Sequence, residues 1–262
     1  MTAESLLVGV DFTADTLRLV LANLDGEPVL QERWPLPPLA DEGAWAWEVG
    51  GRIATTFAKE GNHRSALGIA ITAPGPVEPI AGRLIRSVDG QESWDGLALV
   101  DAIRRHIDAP VVAEHRTLAA LLGESWQGAA RGYDDVLYVS LRGVPASALM
   151  VRGHLVRGAH HEAGALPAVP QLDPEQRLAD RDLETAAGLL ADAIALADPE
   201  LVVVDAAPRH AEPLLPLLQR VVNEVAAGPR VVKADLEEEA AIVGAIRLAS
   251  TVAFEANREL QR

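Results

Sequence analysis

The sequence predicts an α/β protein with a duplicated, two-lobed architecture. Three extended segments joined by turns precede alternating helices and strands, and this order occurs twice, from Leu6 and again from Val136. The length agrees, because 262 residues, 49% of them hydrophobic, provide a core for one large domain or for two lobes. No low-complexity linker separates the two halves. We therefore expect two lobes with a cleft between them.

The first half of the chain is typical of a β-meander followed by helices and strands. Apolar runs at 6–10, 16–24 and 28–34 are separated by turn signals such as Asp25-Gly26. A spacing of four residues between Trp45, Val49, Ile53 and Phe57 predicts an amphipathic helix over 44–57. The remaining predictions are a strand at 66–72, an extended or looping excursion at 82–90, a helix at 97–107, a strand at 110–113 and a helix to about 126.

The second half repeats the pattern. We predict strands at 136–141 and 147–151, a loop rich in Gly and His at 154–164, a helix at 173–197, a strand at 201–204, a helix at 213–225, a strand at 230–233 and a helix at 236–260. We divide the chain into an N-terminal lobe, 1–114, and a C-terminal lobe, 115–244. The terminal helix, 245–262, is expected to pack back on the N-terminal lobe.

Composition restricts the classes of function. A net charge of −15 and no run of Lys or Arg make nucleic-acid binding by this chain alone unexpected. The absence of cysteine excludes thiolate metal sites. No stretch approaches the roughly 18 apolar residues of a membrane helix, and the start lacks a basic segment typical of a signal peptide. We expect a soluble cytoplasmic protein without membrane contact.

The stretch 111–124, VVAEHRTLAALLGE, is the most informative part of the chain. A short apolar strand runs into Glu114, His115 and Arg116, and a helical segment follows at once. Such a junction leaves polar side chains at the mouth of an α/β cleft, where ligands commonly bind. These three residues are therefore candidate ligand contacts.

Nine segments in order resemble the ROK family (repressors, open reading frames, kinases). They are VGVDF at 8–12, IAITAPGPVEPIAGRL at 69–84, WDG at 94–96, VVAEH and LAALLGE within 111–124, WQGAARGYDDVLYVSLRG at 126–143, GHLVRGAHHEAG at 153–164, DLET at 182–185, ADPELVVV at 197–204 and IVGAIRLA at 242–249. The resemblance implies a two-lobed actin-like ATPase (ribonuclease H-like) fold, each lobe a mixed sheet flanked by helices. It also implies a sugar kinase or a sugar-responsive regulator, commonly a homodimer.

The segments that bind ATP in the family depart from its pattern here. The family's first phosphate loop is Asp followed by Gly-Gly-Thr, whereas Asp11 is followed by FTAD at 12–15, which adds side chains and a negative charge. The second loop keeps only Gly143, and Pro145 removes an N–H donor. Arg142 in this loop is expected to be a solvated turn residue. The paired glycines on the adenosine side are replaced by DAAP at 205–208. We therefore expect no ATP cofactor.

The residue that acts as general base is also replaced. The family junction reads Glu-Asn-Asp, whose Asp takes the proton from the sugar hydroxyl, and the matching residues are Glu114, His115 and Arg116. Arginine stays protonated and only donates hydrogen bonds, so it cannot act as a base. His115 is expected to titrate near neutral pH, but it lies one residue away from the base position.

Other sugar contacts of the family are partly kept. Its sugar-binding Asn aligns with Asp89, and its later Glu aligns with Glu184. The Glu and the zinc-binding His of its Glu-x-Gly-His segment fall in ALPA at 165–168, so no metal is expected. The adjacent polar residues at 160–162 are expected to be exposed or cleft-lining. The segment after Glu184 is short for the family, which predicts a shortened second lobe.

Three functions remain after this comparison. The favoured one is a catalytically inactive kinase-like protein that binds a small polar or sugar-like ligand through Asp89, Glu114, His115, Arg116 and Glu184. The alternatives are the effector-binding part of a transcriptional regulator and an active kinase with a rearranged site. At the site, Arg116 either favours an acidic ligand or pairs internally with Glu114 or Asp89.

We also predict a homodimer. The apolar stripe of the terminal helix at Ile242, Ile246, Ala249 and Ala253 serves either that interface or the core of one chain.

Overall fold

The structure is a computed structural model that describes residues 5–39, 41–60, 64–88, 92–166, 169, 171, 180–225 and 228–260. It divides into two units, which we call unit 1 (Met1–Ala120 with Ala241–Arg262) and unit 2 (Leu121–Ala240). In the part of the chain that is described, no helix has the length and apolar character needed to cross a membrane.

Unit 1 contains a five-stranded mixed sheet in the order β3-β2-β1-β4-β7. Its strands are β1 (Leu6–Phe12), β2 (Thr16–Ala22), β3 (Pro28–Pro35), β4 (Ala66–Ala73) and β7 (Val111–His115), and a separate hairpin joins β5 (Val77–Glu78) to β6 (Arg83–Leu84). The meander β1-β2-β3 is antiparallel, whereas β4 is parallel to both β1 and β7. The three parallel strands therefore end at the same edge of the sheet.

The predicted amphipathic helix is present as three consecutive parts. They are α1 (Glu42–Trp45), a π-helical turn (Ala46–Gly50) and α2 (Gly51–Glu60). Asp41 begins the helix by accepting a hydrogen bond from the backbone N–H of Ala44 at 2.8 Å. A regular helix has 3.6 residues per turn, so apolar residues spaced by four drift around it. The wider π turn reduces this drift and keeps Trp45, Val49 and Ile53 fully buried on one side.

The other helices of unit 1 are α3 (Leu99–Arg104), the first part of α4 (Arg116–Gln127) and most of α7 (Ala240–Leu260), with a short 3-10 helix at Glu92–Trp94. Helix α3 is shorter than the predicted 97–107. Strand β7 is longer than predicted, because it includes Glu114 and His115. These two side chains consequently alternate between the faces of the sheet edge and do not belong to a loop.

Unit 2 repeats the topology of unit 1 in the order β10-β9-β8-β11-β12. The strands are β8 (Val136–Ser140), β9 (Ala146–Val151), β10 (His154–Val156), β11 (Leu201–Asp205) and β12 (Arg230–Lys233). The meander β8-β9-β10 is antiparallel, and β11 is parallel to both β8 and β12. The predicted duplication is therefore confirmed. The assignment of His154–Val156 to a loop was wrong, because Arg152 and Gly153, both with positive φ, form a tight hairpin turn.

The core of unit 2 lies between its sheet and helices α5 (Asp180–Ala197) and α6 (Pro208–Val225). A 3-10 helix, Glu237–Glu239, precedes α7. Helix α6 begins five residues before the predicted start at Pro213 and contains Pro213 and Pro216. Proline is favoured in the first turn of a helix, and here Pro208 occupies that place. Residues 173–179, the start of the predicted helix at 173–197, lie outside the described residues.

Helix α7 approaches the backbone of unit 1 closely at three glycines. A Cβ atom would lie 2.8 Å from Ile246 if added at Gly9, 2.2 Å from the Ala249 carbonyl oxygen at Gly68, and 1.8 Å from the Ala119 carbonyl oxygen at Gly244. Ile242, Ile246 and Ala249 are at most 3% exposed. The apolar stripe of this helix is therefore core packing within one chain, which was one of the two alternatives.

We predict opposite effects for alanine at two helical glycines. Gly244→Ala forces α7 away from Ala119 and should lower the free energy of unfolding by about 2 kcal/mol. Gly51→Ala adds a Cβ that meets nothing within 4 Å and should raise it by about 0.5–1 kcal/mol. Urea denaturation of both variants measures the difference. Equal effects would contradict the close packing of α7.

Candidate functional site

The parallel strands of unit 1 bring three buried polar residues together at their carboxyl ends. Asp11 of β1 lies opposite Thr72 of β4, and Thr72 lies opposite Glu114 of β7. They are at most 3% exposed. His115 ends β7, and Arg116 begins α4 immediately afterwards. We call these five residues the strand-end site.

The central interaction of the strand-end site is an ion pair between Arg116 and Asp11. The Arg116 Nε donates to Asp11 Oδ1 at 2.9 Å, and the Thr72 hydroxyl donates to the same oxygen at 2.6 Å. The Asp11 side chain is 1% exposed and the Arg116 side chain is 32% exposed. The internal pairing that we considered for Arg116 thus exists, but with a partner that we had not named for it. Asp11 lies 105 positions away in the sequence, and only the parallel register of the strands brings it near.

Glu114 and His115 are held next to this ion pair. The Glu114 carboxylate accepts the backbone N–H of His115 at 2.9 Å. Burial, together with the positive charges of Arg116 and Arg86, lowers the pKa of His115 to about 4. The imidazole is therefore neutral at pH 7, although the sequence alone suggested titration near neutrality.

The segment after Asp11 is closed by its own side chains and backbone. Phe12 is fully buried and makes edge-to-face contacts with Trp45 and Trp94, at ring-centroid distances of 5.2 and 5.5 Å. The backbone N–H of Thr13 donates to the Thr16 carbonyl at 2.9 Å. A residue that the family resemblance aligns with a phosphate-loop glycine is consequently part of the hydrophobic core.

The turn after Phe12 is also a local hydrogen-bonded unit. Asp15 Oδ1 accepts hydrogen bonds from the hydroxyl groups of Thr13 at 2.8 Å and Thr16 at 3.1 Å. The bond from Thr13 is the largest cause of a lowered pKa for Asp15. The negative charge at this turn is therefore stabilised, which opposes the approach of a phosphate group.

A second ion-pair cluster lies in unit 2. The Arg142 Nε donates to Asp205 Oδ1 at 2.6 Å, and its Nη2 donates to Glu237 at 2.8 Å. Tyr138 donates to the other oxygen of Asp205 at 3.1 Å. The prediction that Arg142 is a solvated turn residue was wrong, because its side chain is 22% exposed and bound to buried Asp205. The guanidinium neutralises carboxylates of its own unit.

Of the other predicted polar residues, Glu184 and the group at 160–162 belong to unit 2. Asp89 lies outside the described residues, and Glu184 is exposed on α5 of unit 2. His160 and Glu162 are exposed, as expected, and His161 is partly buried. Within the described ranges, no three or more His, Asp or Glu side chains form a group that could hold a metal ion. Sequence reasoning missed Thr72, whose only signal was its position near the end of a strand parallel to β1.

Comparison with known proteins identifies the class to which this arrangement belongs. The ROK family model matches residues 7–174. The chain therefore belongs to the ROK family, as its motifs suggested.

Individual relatives include both enzymes and regulators. The chain is 27% identical to a glucokinase of Halalkalibacterium halodurans, over 61% of this chain and 48% of that protein. It is 24% identical to a xylose repressor of Caldicellulosiruptor bescii, over 60% of this chain and 39% of the repressor. The chain thus matches less than half the length of each of these relatives.

A solved structure confirms the predicted fold class. A ROK family glucokinase from Streptomyces griseus, in complex with glucose and AMPPNP, superposes with a TM-score of 0.75 at 19% identity, covering 94% of this chain and 100% of that one. The fold is therefore the actin-like ATPase fold, with two mixed sheets and flanking helices.

We predict that Arg116→Ala destabilises the protein. Its loss leaves buried Asp11 with fewer charge-assisted hydrogen bonds, so the free energy of unfolding should fall by about 2 kcal/mol. Arg258→Ala, at an exposed position of α7, is the control and should change it by less than about 0.5 kcal/mol. A double-mutant cycle with Asp11→Asn measures the coupling. Additive effects would show that the ion pair contributes no stability.

We predict a pH-dependent contribution from His115. Because its folded pKa of about 4 lies below the ordinary 6.5, its contribution to stability is complete above about pH 6.5 and is lost as the pH falls towards 4. His115→Asn, which introduces the family residue, removes this contribution. As the pH falls from 7.5 to 5, the free energy of unfolding of the wild type should therefore decrease relative to that of the variant. An unchanged difference would mean that His115 titrates normally.

Proposed function

We propose that the protein is a catalytically inactive ROK family member that binds a small sugar or sugar derivative at the strand-end site. The observation that carries this proposal is the Arg116–Asp11 ion pair. The residue aligned with the family's general base is a guanidinium, which cannot accept a proton from a sugar hydroxyl. Its contact with Asp11 is made within the protein, so the substitution is part of a stable local structure.

The other residues of the site support the same proposal. His115 can accept a proton, but a pKa of about 4 makes its imidazole a weak base at neutral pH. Asp11 already accepts hydrogen bonds from Arg116 and Thr72. A side chain with the basicity and the position of the family's Asp is thus missing from the described residues of this site.

The segments that align with the family's nucleotide-binding loops support the proposed inactivity independently. Phosphate loops bind through closely approaching backbone N–H groups, and Phe12 and Pro145 each work against this arrangement. The backbone N–H of Thr13 is bonded to Thr16, and the loop that contains Pro145 begins with Arg142, which is bonded to Asp205. We therefore propose that ATP is not a cofactor of this protein.

The ligand is proposed from the relatives and from the polar groups of the site. The glucokinase relative is named for glucose and the repressor for xylose, so a sugar is the first ligand class to test. Arg116 at the site edge, 32% exposed, is suited to a sugar derivative that carries a carboxylate or phosphate. The homodimer and the cytoplasmic location stay predictions.

A second candidate is the effector-binding part of a ROK transcriptional regulator. The relation to a xylose repressor favours it, and such a protein would bind a sugar without phosphorylating it. The two candidates differ in the expected ligand. Binding of xylose in preference to glucose and sugar phosphates would favour the regulator.

We predict that calorimetric titration with Mg-ATP gives no binding heat at millimolar nucleotide and no rise in melting temperature. The H. halodurans glucokinase serves as the positive control. Titrations with glucose, xylose, glucose 6-phosphate and gluconate follow in the absence of nucleotide, and at least one should bind. Micromolar binding of ATP, or transfer of phosphate to a sugar, would refute the proposal of an inactive protein.

A further inference from the structure

A recess in unit 1 shares no residue with the strand-end site. It is formed by Trp34 at the end of β3, by one face of the helix from Trp47 to Thr56, and by His106 after α3. Its volume is about 480 Å³, which lies within the range of about 300–1,000 Å³ of small-molecule sites. Strand β3 is the edge strand farthest from β7, so the recess and the strand-end site use different parts of the sheet.

Two adjacent glycines lie on the helix that borders the recess, and their surroundings differ. A Cβ at Gly50 would lie 2.6 Å from His106 and 3.1 Å from the Ala102 carbonyl oxygen, so the contact with α3 requires glycine there. A Cβ at Gly51 would meet nothing within 4 Å, and Gly51 has ordinary helical angles of −63° and −41°. Neither packing nor backbone conformation requires Gly51, although glycine within a helix costs about 0.5–1 kcal/mol relative to alanine. The missing side chain instead leaves space in the wall of the recess.

The recess presents an aromatic surface to solvent. The Trp47 side chain is 78% exposed, an unusual state for the largest apolar side chain. Arg52 lies over the ring of Trp34, with its guanidinium carbon 6.0 Å from the ring centroid. One indole is therefore accessible and the other is covered by a charged group that also borders the recess.

The polar groups of the recess are balanced in charge. Glu48 and Arg52, one helical turn apart, form an ion pair. Thr55, Thr56 and His106 add hydroxyl and imidazole groups. Because Arg52 is already paired with a carboxylate and the whole chain carries −15, an anionic ligand such as a nucleotide is disfavoured. An entirely apolar ligand would leave these polar groups desolvated.

We propose that this recess binds a neutral pyranose sugar stacked on Trp47. The apolar C–H face of a pyranose ring matches an exposed indole, and its hydroxyl groups both donate and accept hydrogen bonds. Glu48 accepts such bonds, Arg52 donates them, and the threonine hydroxyls do both. The ring would occupy the space next to Gly51. This inference does not depend on the function proposed for the strand-end site.

Saturation-transfer-difference NMR and tryptophan fluorescence test the proposal, with glucose, xylose and maltose as probes. The wild type should show saturation transfer to the sugar ring and a blue shift of the tryptophan emission that Trp47→Ala lacks. Trp47→Ala should weaken binding about tenfold, because it removes the stacking surface. Gly51→Leu should abolish it, because the larger side chain begins in the open space that a Cβ at Gly51 would enter and occupies the room proposed for the sugar.

The control variant is Phe254→Ala, which removes an exposed aromatic side chain of α7 that is 68% exposed. It should bind as the wild type does. Melting temperatures of all variants establish that they are folded. A sugar signal that persists in both Trp47→Ala and Gly51→Leu but disappears in Arg116→Ala would belong to the strand-end site and would overturn this inference. Absence of any signal in the wild type at about 50 mM sugar, well above a millimolar dissociation constant, would overturn it too.

Discussion

The burial of Asp11 at the end of the central strand is the constraint on which the strand-end site depends. A carboxylate that is 1% exposed requires partners that compensate for its lost hydration. Thr72 supplies one from the adjacent strand, and Arg116 supplies a charged one from the first residue of α4. The register of β1, β4 and β7 brings these groups within reach, so the sheet topology and the ion pair depend on each other. An arginine that stabilises a buried carboxylate in this way has a structural role. Only the exposed part of its side chain is accessible to a ligand.

Unit 2 also pairs a buried carboxylate with an arginine, but the two residues follow different strands than in unit 1. There the buried carboxylate, Asp205, ends the strand that corresponds to β4, and the arginine follows the strand that corresponds to β1. Both units therefore have an arginine–aspartate pair at the carboxyl ends of their parallel strands. In each, the pair occupies a segment that the family resemblance assigns to catalysis or to phosphate binding. The substitutions that replace the family's base and phosphate-loop residues therefore also supply the internal ion pairs of the two units.

Much of the fold could be predicted from the sequence because its signals are local. Alternating apolar runs and turn residues revealed the repeated meander, but the strands at His154–Val156 and Val77–Glu78 were missed. The hairpin turn before His154–Val156 uses Arg152 and Gly153 with positive φ, whereas the usual signal is Asn-Gly or Asp-Gly. The start of α6 was also misplaced, because prolines inside a helix resemble its first turn.

The site was less predictable, since its contacts join residues far apart in the sequence. The junction at Glu114, His115 and Arg116 stood out, yet the partner of Arg116 follows from strand register and not from spacing. The low pKa of His115 depends on burial and on Arg86, neither of which is visible in the local sequence. The recess near Trp47 had no sequence signal, because its tryptophans and glycine also fit an ordinary amphipathic helix.

The π-helical turn at Ala46–Gly50 sets the direction in which the residues after it face. One residue corresponds to about 100° of rotation around a regular helix. Removing a single residue from this turn would therefore keep the helix but swing Gly51 and Arg52 away from Trp34. The same deletion would rotate Ile53 relative to Trp45, because all residues after the turn move together. The outer recess and the buried face of this helix are therefore set by one and the same π-helical turn.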